Sequence, residues 1–304
     1  MIASANAELI YQTEVICGES PVWDEVSQRL YWADVVTGNV YIFNPIDGSN
    51  KTCNTGEVLG SVALCERAGL LLSCAKGFFF LDPDTGKMEP AIDREILSAG
   101  HYFADGKCDP QGRFWAGTYH QDITEPVGVL YSLENDLSVK KRAENFILSN
   151  GMAWDIARDK FYFIDSIAKC VYIFNYDSIS GDLTNQKILR KFSGDTILPD
   201  GMTIDTDGFL WVALFNDGKV KRIDPLSGET NFEVLIPNAK QVTSCTFGGK
   251  DLQDLYITSA SIGLTRKQHD ERPLAGSLFV VRDCGFQGME TNAFEFQKQE
   301  STTK

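Results

Sequence analysis

Short apolar clusters bounded by turn-forming residues recur along the chain at nearly even intervals: Leu30-Tyr31-Trp32, Leu70-Leu71-Leu72, Phe114-Trp115, Phe161-Tyr162-Phe163, Leu210-Trp211 and Leu255-Tyr256-Ile257. With Tyr31, Leu71, Trp115, Tyr162, Trp211 and Tyr256 as markers, the successive steps are 40, 44, 47, 49 and 45 residues. A period of this size decides architecture before any local assignment, because a unit that cannot bury its apolar face alone must stack on its neighbours. Each unit repeats one order: a short strand, a turn with Asp or Gly, the marker strand, a second turn, and an alternating strand such as Asn39 to Phe43 or Gly218 to Ile223. Three of these third strands run into Asn44-Pro-Ile-Asp-Gly48, Asp82-Pro-Asp-Thr-Gly86 and Asp224-Pro-Leu-Ser-Gly228, turn chemistry that stops a strand. No window longer than about ten residues carries a helical period.

The pattern therefore predicts an all-β fold, a six-bladed β-propeller with blades of about four antiparallel strands. A strand-like start, Glu8 to Ile16, precedes the first marker by a whole strand, while the chain ends with Ser277 to Val281 and a polar stretch. Pairing of the N-terminal strand into the last blade would close the ring and remove a sheet edge. A solenoid of the same repeats would need capping units, and none is visible. The expected organisation is one domain over 1–304, with 284–304 as a polar C-terminal tail.

Aligning the blades on their first strand exposes candidate chemistry. Asp24, Asp109, Asp155 and Asp205 each stand just before a turn and shortly before an aromatic marker, where a carboxylate caps backbone N–H groups. Five residues upstream, at the other end of that strand, sit Glu19, Ala104, Asn150 and Asp200, with Gly60 and Thr243 in the same register of the other two blades. In a propeller the first strands line the central channel, so these positions ring one mouth. Two carboxylates brought together there would repel, and one would hold a proton unless a cation sat between them. The hard oxygen donors Glu19, Asn150 and Asp200 suit one divalent cation, Ca2+ first, then Mg2+ or Mn2+, with Zn2+ admitted if waters complete its shell.

Composition narrows the partners. A hydrophobic fraction of 43% with 19 Phe, 10 Tyr and 5 Trp is enough to fill a large interior and excludes wholesale disorder. A net charge of −14 is the wrong sign for neutralising phosphates or anionic lipid, so neither nucleic acid nor a membrane is expected as partner. The start of the chain shows no basic region followed by an apolar run, and the eight cysteines form no C-x-x-C pair. They are read as thiols of a reducing cytoplasm, and the Asn50-Lys51-Thr52 sequon carries no weight there.

At the ring residues the sequence resembles the family of gluconolactonase, regucalcin (senescence marker protein) and luciferin-regenerating enzyme. The resemblance rests on Gly18-Glu-Ser-Pro-Val-Trp-Asp24, Asp105 to Thr118, Ser149-Asn-Gly-Met-Ala-Trp-Asp155, Pro199-Asp-Gly-Met-Thr-Ile-Asp205 and Val242 to Gly249. It implies a six-bladed propeller with a divalent cation at the channel mouth that hydrolyses lactones or related esters. Glu19, Asn150 and Asp200 fall on the family's metal ligands, and Asp200 is the candidate catalytic base. A propeller that binds calcium without turnover, as regucalcin-like members are discussed, is the alternative.

Many members read Arg-Phe-Asn-Asp-Gly-Lys where this chain reads Tyr102-Phe103-Ala104-Asp105-Gly106-Lys107. An arginine that binds substrate is thus replaced by Tyr102 and an asparagine near the metal by Ala104, which implies a wider, less polar and more aromatic mouth, with Phe103 adding to it. His101 and His120, flanking the strands of the third blade, are further candidates for substrate contact, His101 the better placed. His269, in the polar stretch Thr265 to Arg272, is expected in a solvated loop. No nucleophile elbow, P-loop or dinucleotide fingerprint is present. The expected partner is a small lactone or ester, acted on by a monomer or weak dimer.

Overall fold

The structure, a computed structural model, describes residues 2–66, 69–92 and 96–296. It is a six-bladed β-propeller whose blades are antiparallel four-stranded sheets, one of them extended by a fifth, parallel strand. The first strands of the blades are Gly18–Asp24, Leu59–Cys65, His101–Cys108, Ser149–Asp155, Leu198–Ile204 and Val242–Gly248, and they neighbour one another in a ring around the central channel. The marker clusters form the second strands, which are buried almost throughout. Helix among the described residues is confined to a single turn at Ile156–Arg158 and the short segment Arg266–Glu271. The latter is a correction to the expected loop around His269. A capping box in which Gln268 Oε1 accepts from Thr265 N at 2.9 Å holds six residues in a helix too short to show a period.

Closure follows the expected route with one addition. Glu8–Tyr11 pairs antiparallel with Leu278–Val281 as the outer strand of the sixth blade, so the chain's start completes the sheet that its later residues begin. Just before it, Ala3–Asn6 runs parallel to Thr230–Leu235 at the edge of the fifth blade. That strand, Ala3-Ser-Ala-Asn6, alternates only small residues over four positions, too weak a pattern to mark a strand.

The core lies between the blades, since the axis is a channel. Trp23 stacks on Tyr256 with ring centroids 5.4 Å apart, joining the first blade to the sixth. Trp115 and Trp154 meet edge to face at 5.7 Å, joining the third to the fourth. Large aromatics suit this architecture because each buries about 150–250 Å2 across a wedge-shaped gap.

The turn aspartates do more than cap. Asp109 accepts from the backbone N–H groups of Gln111 and Arg113 at 2.9 and 3.0 Å, and also from Trp115 Nε1 at 2.8 Å and Arg113 Nε at 2.6 Å. Asp205 repeats the arrangement with Phe209 N, Trp211 Nε1 and Arg222 Nε at 2.9, 2.9 and 2.6 Å. Each carboxylate thus ties its turn to the buried aromatic of the next strand and neutralises a buried guanidinium, so removing one partner would strand a buried charge.

The stretch from Cys284, expected as a polar tail, is folded as far as Phe296; residues 297–304 lie outside the described residues. It crosses the end of the channel away from the strand starts. Gly288 N donates to Leu252 O at 2.8 Å, Thr291 N to Glu25 Oε1 at 2.7 Å and Phe294 N to Leu64 O at 2.7 Å, so one segment ties the sixth, first and second blades. Phe294 is fully buried in the cluster that contains Phe78 and Phe114. Its few apolar residues fill wedges already built by the blades, which composition cannot reveal. Phe294→Ala is expected to cost about 3–5 kcal/mol, the usual range for emptying a buried Phe site. A melting temperature equal to that of the wild type in calorimetry would show that the segment does not hold the blades together.

Candidate functional site

The six first strands all lose register with their neighbours at the same level, between Glu19 and Val22, Leu59 and Ser61, Phe103 and Gly106, Asn150 and Met152, Pro199 and Met202, and Val242 and Ser244. A bulge inserts a residue and re-aims the side chains beside it. The positions found by aligning the repeat therefore lie on or next to six concerted bulges. Packing is so close here that a Cβ on Gly151 would stand 2.6 Å from the Asp200 carbonyl oxygen, and one on Gly201 would overlap Ser244. In the first blade the bulge residue is Ser20, held at φ 52° while its Oγ accepts from Val62 N at 2.9 Å and donates to Val62 O at 3.1 Å.

Glu19, Asn150 and Asp200 come together at this mouth. Burial raises the Glu19 carboxyl well above its ordinary value, with Asp200 and then Asp105 adding to the rise; the Ser20 N–H, 3.0 Å from Glu19 Oε2, opposes it. Asp200 is likewise raised well above its ordinary value by burial and by Asp105, against the Asn150 amide. Asn150 Nδ2 donates to Ser166 Oγ at 3.1 Å, which fixes the amide plane. Among the described residues no group of three or more His, Cys, Asp or Glu stands in metal-holding geometry. The ring offers two carboxylates and one amide oxygen, a hard-donor set whose mutual repulsion a divalent cation would relieve.

Several residues at the site were not singled out from sequence. Asp105, raised by burial and opposed by Lys107, enters because the third-blade bulge turns it inward beside Ala104. Lys107 is lowered by burial, and its Nζ donates to Met202 O at 2.7 Å. Asp34 accepts from Ile16 N and Cys17 N at 3.0 and 3.2 Å, and Asp165 from Ile147 N and Leu148 N at 2.8 and 3.3 Å. They clamp the entries to the strands that carry Glu19 and Asn150, and each lies three residues past its marker, so the same repeat alignment would have found them.

The rim by the third blade is aromatic. Tyr102 faces Tyr119 across the first hairpin with ring centroids 5.9 Å apart, and His101 faces His120 at 5.2 Å. Tyr119 is raised by burial, then by Tyr102 and Cys17, and so reaches from the third blade toward the start of the first. Phe103 does not join this surface. It is buried against Phe78 at 4.9 Å, because alternation along the strand turns it into the gap between the second and third blades. Ala104 brings no polar side-chain atom to the mouth. Beneath the ring, a cavity of about 470 Å3 is lined by Val22, Ala63, Lys107, Trp154, Ile204 and Met289; Glu19, Asn150 and Asp200 are not in its wall.

Residues 17–261 match the model of the SMP-30/gluconolactonase/LRE-like region. The chain is 38% identical over 290 residues to regucalcin of Danio rerio, covering 95% of this chain and 98% of that one. It is 36% identical over 277 residues to the putative sugar lactone lactonase YvrE of Bacillus subtilis, covering 91% and 94%. Among solved structures, a luciferin-regenerating enzyme superposes with a TM-score of 0.87 at 29% identity, covering 95% of this chain and 99% of that one. The chain belongs to the SMP-30/gluconolactonase/LRE-like family.

The raised carboxyls have a consequence for stability. A carboxyl whose pKa is higher in the folded than in the unfolded chain favours folding when protonated; that contribution is complete below the unfolded value and is lost as pH rises through the folded one. The cation-free protein should therefore melt higher in mildly acidic solution than at pH 7, and Asp200→Asn, which removes a repelling charge, should raise the cation-free melting temperature at pH 7 by a few degrees. Melting scans in chelator would refute the crowding if Asp200→Asn melted lower at pH 7 while matching the wild type at acid pH.

Proposed function

We propose that this member of the family is a metal-dependent hydrolase of lactones or related esters, with Glu19, Asn150 and Asp200 holding one divalent cation, Ca2+ ahead of Mg2+, Mn2+ or Zn2+. The observation that carries the reading is the convergence of two repelling carboxylates and an oriented amide from three blades on one mouth, in a fold whose relatives include a putative sugar lactone lactonase. A bound cation would supply Lewis-acid polarisation of the ester carbonyl and charge stabilisation. Within the chain, Asp200 takes the proton from the attacking water as general base. As the new C–O bond forms and the ring C–O bond breaks, that proton returns to the departing alkoxide, and the product is a hydroxy acid. Asn150, tied to Ser166, presents its amide beside Asp200, and the close-packed bulges limit reorganisation.

The substrate sits against Tyr102, Ala104, His101 and His120. With Tyr102 in place of an arginine and Ala104 in place of an asparagine, a ligand rich in hydroxyls leaves some of them without partners, each missing hydrogen bond costing on the order of 1 kcal/mol. The paired faces of Tyr102 and Tyr119 suit a flat, less hydroxylated lactone or aryl ester. The reading is of a cytoplasmic monomer or weak dimer; buried thiols such as Cys108, Cys170 and Cys245 accord with a reducing compartment. Among the described residues no helix is long and apolar enough to cross a membrane.

Hydrolysis across a lactone and ester panel, with and without chelator, tests the activity. Turnover should require the cation and fall by about 10²-fold or more in Asp200→Ala; calcium binding without turnover on any member of the panel would favour the non-catalytic propeller. The wild type should prefer aromatic over sugar lactones, and Ala104→Asn with Tyr102→Arg should move the ratio of kcat/KM values toward gluconolactone. An unchanged ratio, or a wild type that already prefers gluconolactone, would overturn the substrate assignment while leaving the fold and the cation standing.

A further inference from the structure

The paired histidines on the rim carry chemistry that the oxygen ring does not. His101 and His120 are cross-strand partners at the open end of the first hairpin in the third blade, with centroids 5.2 Å apart and planes at 72°. Two imidazoles joined through Nε2 to one tetrahedral cation, with metal–nitrogen bonds of about 2.0–2.1 Å, have centroids about 5 Å apart. The outer nitrogens are provided for as well. His101 Nδ1 lies 3.3 Å from Ala99 O, while His120 Nδ1 accepts from Asp122 N at 3.3 Å and lies 3.3 Å from Asp122 Oδ2. A metal-bound imidazole characteristically donates its other N–H to a carbonyl or carboxylate. With Nε2 coordinated, the His101 proton sits on Nδ1, where Ala99 O accepts it; His120 in the same state gives up the bond from Asp122 N and donates its Nδ1–H to the Asp122 carboxylate instead. Gly100, at φ 78°, completes the arrangement: a Cβ there would lie 2.7 Å from His120 Nε2, so only glycine leaves that nitrogen its place.

We propose that His101 and His120 form a two-imidazole site for a divalent transition-metal cation of the zinc or copper type, separate from the hard-oxygen ring and independent of whether the protein hydrolyses esters. Nitrogen ligands select Zn2+, Cu2+ or Ni2+ over Ca2+ and Mg2+, so the two sites discriminate by chemistry. No third His, Cys, Asp or Glu completes the set among the described residues, and water fills the remaining positions. A cation there ties together the strand ends that carry Tyr102 and Tyr119, at the edge of the mouth.

The chain has 3 His, which makes the test clean. ZnCl2 is titrated calorimetrically into protein kept in excess CaCl2, and the Cu2+ adduct is read by electron paramagnetic resonance. One Zn2+ per chain is expected, weakened about tenfold or more in His101→Ala and in His120→Ala, and by about tenfold in Asp122→Asn through loss of the outer partner. His269→Ala and Asp200→Ala should leave zinc affinity unchanged, and the Cu2+ spectrum should show coupling to two imidazole nitrogens. Undiminished zinc binding in either rim variant, or a copper spectrum with one nitrogen, overturns the site. Zinc binding that disappears in Asp200→Ala also overturns it, by moving the cation to the oxygen ring.

Discussion

The structure depends on how closely six strands can approach one axis. At the level of Glu19 and Asp200 there is no room for six side chains, and a Cβ at Gly60 would stand 2.6 Å from the Ala104 carbonyl oxygen just as one at Gly151 would meet that of Asp200. Glycines let the backbones pass, and a bulge in every first strand turns the remaining side chains to one mouth. Acidic groups from different blades are thereby crowded into a low-dielectric space, where burial and then their mutual repulsion raise their proton affinity and the Asn150 amide opposes the rise at Asp200. The electrostatics of the mouth follow from the steric constraint.

A channel on the axis leaves the molecule without a central core, so cohesion is a matter of neighbours. Each gap between blades has its own filling, aromatic between the sixth and first, second and third, and third and fourth blades and aliphatic between the first and second, where Leu59, Val62 and Leu70 meet Ala33 and Val40. The ring holds only if its ends meet. Glu8–Tyr11 in the sixth blade closes it at the outer edge, while Phe294 and the bonds made by Gly288 and Thr291 bind it again across the far end of the channel. The second closure leaves the strand starts untouched, which separates the element that holds the blades from the end that carries the polar ring.

Two kinds of donor are sorted by position on the same rim. The oxygens of Glu19, Asn150 and Asp200 lie at the bulges, where neighbouring strands hold them and burial strengthens their repulsion. His101 and His120 lie at the loose end of one hairpin, half-buried, where a single cross-strand pair sets their spacing. The cavity of about 470 Å3 belongs to neither group; it lies one layer deeper, between the ring and the crossing segment, with Lys107 as a buried cation in its wall.

Much of this was legible in the residues alone. The step between markers gave the six blades, because a repeat that must stack is written as spacing; the turn aspartates and the positions of Glu19, Asn150 and Asp200 followed because a shared register in the repeat becomes a shared level around an axis. Other features depend on neighbours that sequence does not place. Asp105 reaches the mouth because its bulge takes in two residues, Phe103 leaves it because alternation turns that ring into the gap between blades, and Phe294 is core because the blades had left a wedge for it. Spacing along the chain determined which positions share a level; only the packing of six curved sheets decided which side chains at that level face the axis, which face another blade, and how far burial shifts their protons.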